Sequence, residues 1–169
     1  MSEEPQGDSV ESEQGVEDRK GAAVSFPPPA IFASCILVGA GLQSLWPIAL
    51  GVPESLDIFG YVLVLLGVGI TVAVALNFKR VDTAIEPWKP TSSIVTTGLY
   101  AWSRNPIYAG FCLVIIGVGI ASNSFWVFIS FLPGAILLYH VAIKKEEAYL
   151  EQKFGEEYLA YKRKVRRWI

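Results

Sequence analysis

Four long apolar stretches, cut apart by short polar segments, constrain this chain more than any other feature. Ala30 to Leu50 carries no charged residue, and Leu56 to Phe78 carries a single one, Asp57, at its start. Ile107 to Ala121 and Phe125 to Ile143 follow, separated only by Ser122-Asn123-Ser124. About twenty helical residues cross a hydrocarbon core, where each backbone group must be satisfied within its own segment. The pattern predicts an all-α integral membrane protein with about four transmembrane helices. The third run is short for a full crossing, and with the fourth it reads as a helical hairpin. A hydrophobic share of 52% agrees, being high for a protein that folds in water.

Charge divides the chain in two. Residues 1–20 hold seven acids and two bases, while the remainder holds nine acids and twelve bases. Residues 1–25 form an acidic leader, nearly free of large apolar side chains, which cannot bury enough surface to offset its ordering entropy and is expected to be disordered. Its acidic start, with no apolar core following at once, does not fit a secretory signal. Residues 26–169 are expected to form one membrane domain, entered through Phe26-Pro27-Pro28-Pro29. The mildly basic balance of this part suits an anionic membrane surface, and its bases interleave with no nucleic-acid motif.

The bases also set an orientation. They flank the first run, follow the second as Lys79-Arg80, and gather at the C-terminus as Lys162, Arg163, Lys164, Arg166 and Arg167. The turn at 51–57 has two acids and no base, and the turn at 122–124 has no charge. The positive-inside rule then places both termini and the central loop in the cytoplasm. Trp46, Trp88, Trp102, Trp126 and Trp168 all fall at expected interfaces. Beyond Ile143 the fourth helix should continue into water as far as Gly155, which reads as a C-terminal stop. Glu156-Glu157 then opens a last amphipathic helix whose final turn is basic, the order a helix dipole favours. Gly67-Val68-Gly69-Ile70 and Gly117-Val118-Gly119-Ile120 echo one another and read as sites of close helix packing.

Two polar elements interrupt the apolar pattern. The first is Thr97-Gly98-Leu99-Tyr100-Ala101-Trp102-Ser103-Arg104-Asn105-Pro106-Ile107-Tyr108. Pro106 is tolerated in a first helical turn, so Arg104 and Asn105 fall at a helix N-terminus, whose free N–H groups attract anions. An ordinary turn with a snorkelling arginine is the plainer reading of any one of these residues. The second element is Lys144-Lys145-Glu146-Glu147. On a helix Glu146 neighbours Ala142, Ile143, Tyr149 and Leu150, whereas Glu147 has Lys144 within reach. A carboxylate among apolar groups at a membrane boundary needs a cation, so Glu146 is expected to meet either Arg104 or the ammonium of a ligand. Tyr100, Trp102, Tyr108, Tyr139, Tyr149, Phe154, Tyr158 and Tyr161 could face a sulfonium, or could simply form an interfacial aromatic belt. Cys35 and Cys112 lie inside apolar runs without CxxC spacing, and His140 is the only histidine, so no metal site is expected.

Together, Arg104-Asn105-Pro106-Ile107-Tyr108 and Glu146-Glu147 resemble the paired elements of the isoprenylcysteine carboxyl methyltransferase and phospholipid methyltransferase group. Thr97-Gly98-Leu99-Tyr100, Phe154-Gly155, Tyr158, Tyr161, Val165 and Arg167 extend the resemblance, which covers nearly all of Pro27 to Ile169. It implies S-adenosylmethionine as cofactor, in a pocket at the cytoplasmic membrane surface. The implied cofactor-binding residues are Gly98, Leu99, Tyr100, Arg104, Asn105, Pro106, Tyr108, Glu146 and Glu147. Arg104, Asn105 and Tyr108 would serve the reaction, and Arg163 or Arg167 would meet an acidic or phosphate-bearing acceptor. The acceptor would be lipophilic: a prenylcysteine carboxylate, a phospholipid amine or a similar group. Asn105 stands where the family commonly has histidine, and an asparagine cannot titrate. Two other readings remain. Membrane sterol reductases, which use a nicotinamide cofactor, carry a His-Pro-Asn-Tyr-x-Gly-Glu element, and Asn105-Pro106-Ile107-Tyr108-Ala109-Gly110-Phe111 matches it in part. A non-catalytic membrane protein could retain the same fold.

Overall fold

The computed structural model describes residues 21–22, 24, 26–80, 89 and 91–168. Most of the expected leader, and Pro87, Trp88 and Pro90 of the central loop, lie outside the described residues. Ala22 and Val24 are described, and both are buried against the core. Packing therefore begins ahead of Phe26, because Ala22 and Val24 are small apolar residues at the end of an otherwise acidic stretch.

Every regular element among the described residues is helical, with two isolated β-bridges besides. Helix α1 spans Pro28–Leu45 and opens on prolines, whose missing donors cost nothing in a first turn. A short 3-10 turn, Glu54–Leu56, leads directly into α2, Asp57–Arg80, which ends on Lys79 and Arg80. A second 3-10 turn, Gly98–Ala101, precedes α3, Pro106–Ala121. Then come α4, Phe125–Ile129, and α5, Phe131–Leu138. One π-helical turn, Tyr139–Ile143, joins α5 to α6, Lys144–Phe154. Gly155, at φ +51°, stops α6 and starts α7, Glu156–Lys164.

Three helices, Pro28–Leu45, Glu54–Arg80 and Phe125–Phe154, are long and apolar enough to cross a membrane, and Pro106–Ala121 is apolar but shorter. The 30 residues of Phe125–Phe154 rise roughly 45 Å, against a hydrocarbon core of about 30 Å. The apolar part ends at Ile143, so the polar α6 projects beyond the membrane-spanning segment. Leu37, Leu45, Leu65, Leu66 and Ile136 are exposed on the outside of the bundle, an arrangement that a lipid solvent favours.

Packing is closest between α2 and α3, which run antiparallel along a row of glycines. A Cβ on Gly60 would lie 2.7 Å from the Gly117 carbonyl oxygen, and one on Gly117 would lie 2.6 Å from that of Gly60. About two turns nearer the site, Gly67 and Gly110 face one another in the same way, backbone against backbone. The hairpin closes at Ser122-Asn123-Ser124. There the Ser124 hydroxyl accepts from the Val127 amide at 3.2 Å and caps α4, while Asn123 adopts φ +46°. The Trp126 indole N–H donates to the Trp46 carbonyl at 2.8 Å and ties this end to the α1–α2 linker. Ile31, Phe32, Tyr108, Ile115, Leu138, Ala142 and Ile143 form the shared core, which carries Tyr108 and α6 to the site.

Candidate active site

The start of α3 is held by the loop before it. Gly98, at φ +62°, permits the turn that delivers Tyr100 inward, and the Tyr161 hydroxyl donates to the Tyr100 carbonyl at 2.7 Å. Asn105, at φ −132° and ψ 54°, lies outside the helical region, which is disfavoured for the residue before a proline. Its side chain does not cap α3. Instead its amide group donates to the Arg167 carbonyl at 3.0 Å, and the Arg104 backbone N–H donates to the Arg166 carbonyl at 2.9 Å. Ser103, buried and absent from the residues singled out by sequence, accepts from the Asn105 N–H at 3.1 Å. Nothing in its type or spacing marked it; only the fold brings it against the C-terminal segment.

The two acids of α6 part company. Glu147 is 8% exposed and takes Arg104 Nη1 at 3.0 Å, Arg167 Nε at 2.8 Å and Arg167 Nη2 at 3.0 Å, with Lys162 Nζ at 3.8 Å. Burial alone would push its carboxyl up. The Arg167 hydrogen bond and the charges of Arg104, Arg167 and Lys162 more than offset that, holding it below the usual carboxylate range. This corrects one expectation: Lys144 is exposed on the outer side of α6 and is not Glu147's partner. Of the two cations left open for Glu146, Arg104 is taken by Glu147 instead.

Glu146 instead accepts a hydrogen bond from the Tyr108 hydroxyl, and no basic side chain pairs with it among the described residues. Its surroundings push its carboxyl up to about 7: burial is the main cause, the Tyr108 hydrogen bond works against it, and the charge of Glu147 adds to it. Burial, and then the charge of Glu146, also keep the Tyr100 hydroxyl protonated.

Tyr108 and Glu146 sit on the wall of a cavity of about 120 Å³ that also touches Tyr100, Arg104 and Asn105. Phe78, Tyr149, Tyr158 and Tyr161 give it aromatic faces, and Ala22 with residues 91, 93, 94 and 95 lines it further. Arg104 Nε is the one buried side-chain polar atom among the described residues with no hydrogen-bond partner. Not every expected residue reaches this cavity. Gly98 and Leu99 line a neighbouring cavity of about 320 Å³, which shares Tyr100 with the first and is bordered by Asn77 and Arg80. Pro106 and Glu147 stand behind the wall. Arg163 pairs with exposed Glu156, and Arg167 with Glu147, so neither lines the cavity. Trp102 is 82% exposed, as a belt residue would be, and Tyr139 lies under the Arg167 guanidinium at 5.1 Å.

This donor set suits a zwitterion. Arg104, whose buried Nε has no acceptor among the described residues, and Glu146, which has no cation among them, line one cavity with rings whose faces attract positive charge. Residues 56–157 match the Phospholipid methyltransferase family. The protein-S-isoprenylcysteine O-methyltransferase of Xenopus laevis is 30% identical over 115 residues, 65% of this chain and 39% of that protein. The human protein of that name is 35% identical over 75 residues, 44% of this chain and 26% of its own. The Saccharomyces cerevisiae one is 36% identical over 72 residues, 43% of this chain and 30% of its own. The chain thus spans between about a quarter and two fifths of the relatives it matches.

Proposed function

The chain belongs to the phospholipid methyltransferase family, and on that premise we propose that it is an S-adenosylmethionine-dependent membrane methyltransferase acting on a lipophilic acceptor at the cytoplasmic surface. The observation that carries this reading is that one cavity is lined both by Arg104, whose buried Nε has no hydrogen-bond partner, and by Glu146, which pairs with no basic side chain among the described residues. The cofactor's amino-acid end has the complementary charges. Glu146 takes its ammonium, and Arg104 takes its carboxylate. Tyr100, Tyr108 and the neighbouring rings face the sulfonium. When bound, the cofactor supplies an electrophilic methyl group.

The remaining residues act on these. Glu147 orients the Arg104 guanidinium, Pro106 starts α3 so that Arg104 and Asn105 face the cavity, and Gly98 and Leu99 form the turn that presents Tyr100. For a carboxylate acceptor, which is already ionised and needs no proton transfer, positioning and water exclusion supply the acceleration. That is consistent with Asn105, which cannot titrate and whose amide is occupied by the Arg167 carbonyl. Prenylcysteine carboxylates and phospholipid amines are both acceptors of this class, and the basic C-terminal end favours the cytoplasmic face.

Incubating the purified protein with methyl-labelled cofactor and a membrane extract tests the reading. A labelled lipophilic product is expected. Oxidation of NADPH without methyl incorporation would support the reductase reading, and neither signal would support a non-catalytic protein.

A further inference from the structure

The segment after α7 is not a loose end. Residues 165–168 run alongside Ser103–Asn105 as a short parallel pairing, with Ser103 bridged to Arg166. Two consecutive carbonyls, those of Arg166 and Arg167, receive the Arg104 N–H at 2.9 Å and the Asn105 amide at 3.0 Å. The Ser103 hydroxyl reaches the Arg167 carbonyl at 3.4 Å as well. Side chains fasten the same segment from outside: Arg167 grips both oxygens of Glu147 and stacks on Tyr139, and Trp168 packs against the core. Arg104 is therefore fixed twice, by its backbone to this segment and by its guanidinium to the carboxylate that Arg167 holds.

We infer that residues 165–168 are a clasp that sets the Arg104 guanidinium toward the cavity, and that Arg167 is a positioning residue acting through Glu147. The inference rests on the methyltransferase reading only in what the cavity holds. A planar guanidinium held at two points by one carboxylate has little freedom to turn. With Glu147 so fixed, Arg104 Nη1 is committed to it, Nε keeps no hydrogen-bond partner among the described residues, and the side chain stays on the cavity lining. Loss of Arg167 frees Glu147 to follow Lys162, and Arg104 then samples other rotamers. Asn105 has a matching role: its amide holds the clasp by the Arg167 carbonyl, a contact that involves no proton transfer.

The test uses the full chain in detergent, with S-adenosylmethionine as the probe. Arg167→Met should raise the dissociation constant about tenfold, and Arg167→Lys, which keeps the charge but not the two-point grip, should lie between it and the parent. In a Glu147→Gln background, Arg167→Met should add less than about twofold, because partners in one network do not act additively. Lys164→Met, a neighbouring exposed base, should leave affinity unchanged. Amide hydrogen exchange at Arg104 should be faster in Arg167→Met whether or not anything binds in the cavity. Parent-like affinity and exchange in Arg167→Met, or effects that simply add in the double variant, would overturn the clasp. No binding by the parent would overturn the methyltransferase reading alone, and exchange at Arg104 would still decide the clasp.

Discussion

The glycine row between α2 and α3 and the charged cluster around Glu147 both hold the site in place, and they do so by opposite means. Along the row, contact is possible only because side chains are missing: Gly60 faces Gly117 and Gly67 faces Gly110 at backbone distance. In the cluster, three basic groups crowd a nearly buried carboxylate, and the assembly holds because each charge has a counter-charge. The row tolerates no added atom, whereas the cluster tolerates no lost charge. A membrane protein can draw little on the hydrophobic effect between its helices, so close packing carries the spans and electrostatics carries the aqueous end.

That comparison breaks first at Glu147. Replacing it by Gln leaves Arg104, Arg167 and Lys162 without their shared partner, and removal of one member of a buried pair costs about 3–5 kcal/mol. Thermal melting in detergent should show a large drop. A shift no bigger than that of an exposed pair, up to about 1 kcal/mol, would make the cluster a surface feature.

The row is tested one methyl group at a time. Gly67→Ala sets a Cβ against the Gly110 backbone and should cost about 1–3 kcal/mol through overpacking. Gly69→Ala, whose Cβ meets nothing within 4 Å, should be neutral or stabilising by up to about 1 kcal/mol, since alanine favours a helix over glycine. Equal melting of the two would remove the distinction between a seam face and a lipid face.

A smaller effect on stability is expected at Glu146. Its folded value of about 7 lies above its ordinary 4.5, so its contribution is fully present below about pH 4.5 and is lost as pH rises through 7. The melting temperature of the parent should therefore fall across that window relative to Glu146→Gln, which has no charge to form. Parallel pH profiles would mean that Glu146 is solvated like a surface acid.

The two regions were not equally legible. The apolar runs, the tight turn at Ser122–Ser124, the stop at Gly155 and the continuation of the fourth helix past Ile143 follow from local chemistry, and each is present. The Gly-Val-Gly-Ile echo was readable as packing, but not its use: Gly67 and Gly117 lie on the α2–α3 seam, Gly119 meets Phe128, and Gly69 faces open space. Helical neighbours alone suggested Lys144 for Glu147, yet its partners lie 20 and 43 positions away. Contacts of that range depend on how α7 folds back over the loop, which no periodicity encodes. Arg163 and Arg167 look alike in sequence, and only the fold separates an exposed pair from a clasp.

On the proposed reading, the two adjacent glutamates have different duties, Glu147 structural and Glu146 reserved for a cationic ligand. Calorimetric titration of S-adenosylmethionine into the parent and Glu146→Gln, in detergent above pH 7, tests it most directly. Binding should be weaker in Glu146→Gln by about 1.5–3 kcal/mol, the usual worth of a charged hydrogen bond, or roughly ten- to a hundredfold in affinity. Unliganded melting above pH 7 should not fall. Equal affinity in the two proteins would contradict the assignment of Glu146.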